Sequence, residues 1–238
     1  MGIPTINFMV VGMAAMSFTI GQHSQRLPNI PMAKDLIVLL PRFPSLFVHF
    51  RTFEAHKESK GLTFMNCLSI SVEESWAMLS NTCQELEGKF VDYFERSTGQ
   101  FMFPMGISMP SLPPRPDVDH WLACEIPFLC VLFIDAGAEL HRVSEDCTPS
   151  RGLVVTEWAP QLHILNHPST GAFLSHYGWN SVTEGLRFGV PIVSLPIQFN
   201  QPLVARLMAD ELKMGVEVKR NEEDGSFTKE DVAKDVKL

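Results

Sequence analysis

An α/β fold carrying a parallel sheet is predicted by three features of this chain: short β-branched runs at 152–156, 172–174 and 191–196, helical patterns between them, and glycine or proline at the junctions. In chain order, the apolar run Ile6 to Ile20 comes first. No Lys or Arg precedes it, and Asn7, Ser17 and Thr19 interrupt it, so it suits a buried core helix better than a signal peptide or a membrane span. Glu85, Glu87, Asp92 and Glu95 share a stretch with Leu86, Phe90 and Phe94, which predicts an amphipathic helix with the acids on its solvated face. Pro110, Pro113, Pro114 and Pro116 then mark a linker, so Asp117, Asp119 and His120 read as linker residues and not as an acid–base set.

Gly152 to Thr156 suits a buried strand that delivers Trp158 to a loop. Pro160 fits the first turn of a helix whose apolar face is Leu162, Ile164 and Leu165, and His167-Pro168 ends it. The strand-like Ala172-Phe173-Leu174 stops at Ser175-His176-Tyr177-Gly178. There a glycine permits a tight turn, and Asn180 or Ser181 can cap a helix running through Val182, Leu186 and Phe188 to Gly189. Pro191 to Pro196 reads as a third buried strand, followed by a helix from Gln201 through Leu207 and Met208 to Leu212. Thr228 and Asp231, three apart, form a box capping the last helix.

Composition bounds the function. With 45% hydrophobic and 19% charged residues, the 238-residue chain has the balance of folded domains. A net charge of −8 without a basic run excludes a nucleic-acid partner, because that affinity comes from clustered Lys and Arg. Five cysteines without C-x-x-C spacing suit a reducing compartment, and the cytosol is the expected location. His163, His167 and His176 lack cysteine or carboxylate partners at ligand spacing, so no metal site is expected.

In parallel sheets ligands sit beyond the carboxyl ends of strands, where helix N-termini offer N–H groups and a positive dipole end to phosphate. The turn Gly178-Trp179-Asn180-Ser181 is such a place. Gly178 lets the backbone approach, Asn180 and Ser181 add donors, and His176 can donate to a pyrophosphate oxygen. Glu184 can accept two ribose hydroxyls, and Trp158 offers a flat face to a base. Plainer readings exist: Trp179 as core, or Glu184 paired with Arg187 on the helix surface. Taken jointly, the order of Trp, His, Asn, Ser and Glu favours a nucleotide-sugar site.

The segment Trp158 to Gln201 resembles, over its whole length, the signature box of plant secondary-product UDP-glycosyltransferases. The resemblance implies a GT-B fold, two facing α/β domains, with UDP-sugar as co-substrate, most commonly UDP-glucose, and no other cofactor. It implies that Trp158 stacks on uracil, Ala159 and Gln161 contact the base and ribose region, and Glu184 binds the ribose hydroxyls. His176, Asn180 and Ser181 hold the diphosphate, while Trp179, Asn200 and Gln201 face the sugar. Two residues depart from the family pattern. Asn200 stands where an acid is usual, which alters the acceptor set for sugar hydroxyls, and Tyr177 stands where Cys is usual, so its bulk is expected to crowd the turn.

Met1 to His23 is similar to the middle of the family's acceptor domain, Val72 to Gly99 to its end, and Met105 to Pro114 to its linker. The expected organisation is therefore an acceptor-domain remnant at 1–104, a linker at 105–120 and a nucleotide-sugar-binding domain at 121–238 that is incomplete at both ends. The family's general-base histidine and its aspartate would lie before Met1, and a second gap is expected near Trp121 to Pro127. The resemblance implies inverting transfer of a hexose to a hydroxyl of a small plant metabolite such as a flavonoid or terpenoid, including one already glycosylated. The competing reading, of a different class, is a truncated, non-catalytic chain that at most binds UDP-sugar.

Overall fold

The computed structural model describes residues 5–24, 42–51, 53–54, 70–112, 128–132 and 152–236. They form two compact units, one from residues 1–109 with 172–238 and one from residues 110–171. In the larger unit, Tyr177, Trp179 and Leu203 share a core with Met13, Phe18 and Phe90. The expected gap at Trp121 to Pro127, and the linker beyond Leu112, lie outside the described residues.

In the larger unit β1 (Ile6–Met9), β2 (Ala77–Ser80) and β3 (Phe101–Pro104) make a parallel sheet in that order, with Ile6 opposite Ala77 and Ala77 opposite Phe101. The first apolar run therefore divides. Its start is β1, and its remainder is α1 (Met13–Ser24), buried from Met13 through Ile20. Among the described residues no helix is long and apolar enough to cross a membrane.

Helix α2 (Gln84–Thr98) packs on α1 through Phe90, Val91 and Phe94. Phe43 joins them in a ring cluster, 5.3 Å from Phe18 and 5.1 Å from Tyr93, each pair edge to face. Phe18, Phe90 and Phe94 are fully buried, each contributing about 1.5–3 kcal/mol of transfer free energy, and Phe43 is half-buried against them. One expectation for this helix is corrected: Glu87 does not lie on a solvated face but is fully buried. Its carboxylate accepts from the Ala14 N–H at 2.8 Å and the Thr82 hydroxyl at 2.7 Å, and so satisfies an orphan donor at the start of α1. Glu95 is half-buried and accepts from the Met102 N–H.

A second parallel sheet of the same unit is β6 (Phe173–Ser175), β7 (Ile192–Ser194) and β8 (Val216–Glu217). Helix α4 (Trp179–Phe188) connects β6 to β7, and all of β7 is buried. Gly189 closes α4 in the left-handed region at φ 67°, as a C-terminal glycine does without a Cβ penalty. Helix α5 (Gln201–Arg206) runs into a wider π-type turn at Leu207–Glu211, which accounts for the whole helix expected to Leu212. The box before α6 (Lys229–Val236) forms in both directions: Asp231 N–H donates to the Thr228 hydroxyl, and its carboxylate accepts from the Thr228 N–H.

In the smaller unit β4 (Phe128–Val131) pairs in parallel with β5 (Gly152–Val155), and α3 (Gln161–Leu165) follows. Every strand pairing described is parallel, as predicted from the β-α alternation.

Candidate functional site

The smaller unit carries Trp158, Ala159 and Gln161. Trp158 sits just after β5 with 71% of its surface exposed, although an indole gains by burial, so its face is available to a ring. Ala159 and Gln161 are half-buried at the start of α3, which Pro160 precedes.

The larger unit carries the β6–α4 turn. Ser175 closes β6 by accepting the Tyr177 N–H on its hydroxyl at 3.1 Å, and Tyr177 then turns the chain at φ 70°. Helix α4 starts earlier than expected: Gly178 is its N-cap, Trp179 its first residue, and neither Asn180 nor Ser181 caps it. Gly178 has no side chain with which to cap this end. The exposed His176 ring lies over Gly178, whose missing Cβ would meet Nε2 at 2.9 Å. Asn180 is exposed, and Ser181 and Glu184 are half-buried along the same helix. The turn thus gathers N–H donors, an imidazole, an amide, a hydroxyl and a carboxylate between His176 and Glu184, in the electrostatic setting that favours an anion.

Two residues of the turn face inward. Trp179 is 3% exposed, its indole N–H donates to the Asn81 carbonyl at 2.7 Å, and its ring stands 2.8 Å from where a Cβ on Gly12 would be. Its side chain is therefore core, and only its backbone belongs to the turn's outer surface. Tyr177 is fully buried in the same core, so the expected crowding of the turn does not arise. Its hydroxyl occupies the space that a Cβ on Gly215 would need, and it has no partner among the described residues. Burial, followed by the nearby Glu217 carboxylate, pushes the phenol above its ordinary range, so it stays neutral.

The loop 196–201 leads from β7 into α5. Asn200 is the half-buried N-cap of α5, without a side-chain capping bond. Gln201 folds back, and its carboxamide oxygen accepts the Ile197 N–H at 2.9 Å and the Gln198 N–H at 3.0 Å. Behind the loop lies a buried charged cluster. Arg206, 1% exposed, donates from Nη2 to both carboxylate oxygens of Glu54 at 2.6 and 2.7 Å, and Arg51 pairs with Glu217 at 2.8 Å. Among the described residues no group of three or more His, Cys, Asp or Glu could hold a metal ion.

Residues 144–238 match the family model described as UDP-glucoronosyl and UDP-glucosyl transferase. The chain is 33% identical over 204 residues to a cyanidin-3-O-glucoside 2-O-glucuronosyltransferase of Bellis perennis, covering 71% of this chain and 45% of that protein. It is 31% identical over 284 residues to a mogroside IIIx synthase of Siraitia grosvenorii, covering 100% and 61%. The structure of Phytolacca americana UGT2 complexed with UDP-2fluoro-glucose and pterostilbene superimposes with a TM-score of 0.77 at 21% identity, over 99% of this chain and 62% of that one. The chain belongs to the plant family-one UDP-glycosyltransferases. Its fold is GT-B-like α/β. It spans between 45% and 61% of the length of these curated relatives.

Within this glycosyltransferase frame, the sequence reading missed Glu54, Arg206 and Arg220. Arg206 and Glu54 are 152 positions apart, and no local pattern links them. Arg206 in an otherwise apolar helix face, between Ala205 and Leu207, was the one available signal.

Proposed function

We propose that this chain binds a UDP-sugar and serves inverting transfer of its hexose to a hydroxyl of a small plant metabolite. The observation that carries the reading is the β6–α4 turn, where a glycine N-cap opens the helix beside the exposed His176 and Glu184 follows along the helix. The uracil stacks on Trp158, with Ala159 and Gln161 at its edge. Glu184 accepts the ribose hydroxyls, and Gly178, Asn180, Ser181 and His176 hold the diphosphate. The sugar lies toward Asn200 and Gln201. A base takes the acceptor's proton as its oxygen attacks the anomeric carbon, the bond to UDP breaks, and the negative charge growing on UDP is met by the helix N-terminus and His176. UDP-glucose enters as a co-substrate and no further cofactor takes part.

The acceptor is a flavonoid or terpenoid that already carries a sugar. What supports this is the name of the Bellis relative, whose substrate is a glucoside. The cytosol is the proposed location, supported by cysteines without framework spacing.

The test is calorimetry with UDP and UDP-glucose, followed by assay with labelled UDP-glucose and a flavonol glucoside. Glu184→Ala is expected to weaken UDP binding by about 1.5–3 kcal/mol, the loss of a charge-assisted contact. Trp158→Ala is expected to weaken it by about 1–3 kcal/mol, the value of stacking a base. UDP binding without product would restrict the chain to nucleotide-sugar binding, and absence of heat with either ligand would overturn the reading.

A further inference from the structure

The 196–201 loop is fastened by side chains. Its apolar residues do not anchor it, since Ile197 is 58% and Phe199 45% exposed, and Phe199 is held at φ 56°, a region that residues with a Cβ seldom adopt. On the C-terminal side the Gln201 carboxamide takes two loop N–H groups. On the N-terminal side Pro196 has no N–H to give, and its carbonyl accepts from the Arg220 guanidinium. Arg220 comes from just past β8, and its own position is fixed: the Phe227 ring lies 5.3 Å from its Cζ, and its half-buried guanidinium feels the Glu54 and Glu217 carboxylates. Phe227 closes the 221–227 turn, which is bound by Asn221 N–H to Ser226 O and Gly225 N–H to Asn221 O.

We propose that Arg220 is a positioning residue for this loop: by holding the Pro196 carbonyl it sets the place from which Asn200 meets the sugar of the donor nucleotide. The inference rests on the nucleotide-sugar reading above. It separates the two ends of the ligand, because the β6–α4 turn that receives the diphosphate does not depend on Arg220, whereas the sugar end does. A guanidinium suits the task, since one face can stack on an aromatic ring while an N–H donates in its plane; an ammonium can donate but cannot stack in this way.

The test compares the full chain with Arg220→Ala and Arg220→Lys by two readouts. Amide hydrogen exchange at Ile197 and Gln198, without ligand, is expected to accelerate about tenfold or more in R220A, the loss of one charge-assisted bond to the loop. UDP affinity is expected to stay within about twofold, while the gain of UDP-glucose over UDP falls about tenfold and R220K restores part of it. Unchanged loop exchange in R220A overturns the assignment. So does an equal loss of UDP and UDP-glucose binding, which would mean that Arg220 supports only general stability. If the unaltered chain takes no UDP, it is the nucleotide-sugar reading that falls, and the exchange data still judge Arg220.

Discussion

The β6–α4 turn and the 196–201 loop both lead from a strand's carboxyl end into a helix, yet they are held by opposite means. The turn rests on apolar packing: Tyr177 and Trp179 point inward into one core, and the backbone between them is left to face outward. The loop rests on polar fastenings, with Gln201 and Arg220 at its ends and the Arg206–Glu54 pair behind it. Apolar packing tolerates changes in polar detail but not in volume, whereas a buried ion pair tolerates neither partner's removal. The two segments still touch, since the Leu195 N–H at the head of the loop donates to the Ser175 carbonyl at 2.8 Å.

The sharpest way to break this comparison is Glu54→Ala. It leaves Arg206 buried without the carboxylate that its Nη2 contacts and removes an acceptor from the Arg51 N–H, so unfolding in urea is expected to show a loss of about 3–5 kcal/mol. A loss below about 1 kcal/mol, the level of an exposed pair, would show that the cluster behind the loop does not hold it.

A second test probes the buried Glu87 carboxyl, which lies beside the Trp179 ring at the position of Gly12. Burial pushes the Glu87 carboxyl above its ordinary value of 4.5, with the Ala14 N–H and Thr82 hydroxyl opposing that shift. The folded chain therefore holds this proton more tightly than the unfolded chain does. The contribution to stability is complete below the unfolded value and is lost as pH rises through the raised folded value. Glu87→Gln removes the titration, so its stability relative to the unaltered chain is expected to grow as pH rises from below the ordinary carboxyl value toward neutrality. Parallel urea curves at both ends of that range would refute this.

The smallest effect is expected at Tyr177. Its hydroxyl has no partner among the described residues, so Tyr177→Phe removes a desolvated polar atom while keeping the ring. Thermal unfolding is expected to be unchanged or stabilised by up to about 1 kcal/mol. A clear destabilisation would mean that the turn relies on a polar contact after all, and the contrast with the loop would weaken.

Much of the site region was readable because its signals are local. The runs at 152–156, 172–174 and 191–196 became β5, β6 and β7, and Gly189 ended α4 in the left-handed conformation that only glycine adopts cheaply. The N-cap was misplaced because Asn180 and Ser181 have good capping chemistry, while Gly178, just after the positive-φ Tyr177, is the actual N-cap. Glu87 was misread for a related reason. An acid in the first turn of an amphipathic helix normally faces water, and only the arrival of the α1 N-terminus, 73 positions away in sequence, makes its burial favourable.

Sequence alone determined the β-α alternation, the parallel pairing it requires and the order of polar and aromatic residue types in the turns, since each follows from periodicity and turn chemistry within a few residues. Tertiary structure alone decided which side chains of that order look outward. The Trp179 indole finds its acceptor on Asn81, Tyr177 fits where Gly215 leaves room, and Arg220 reaches the Pro196 carbonyl. Such contacts join segments distant along the chain, and their energy exists only once the core has brought those segments together.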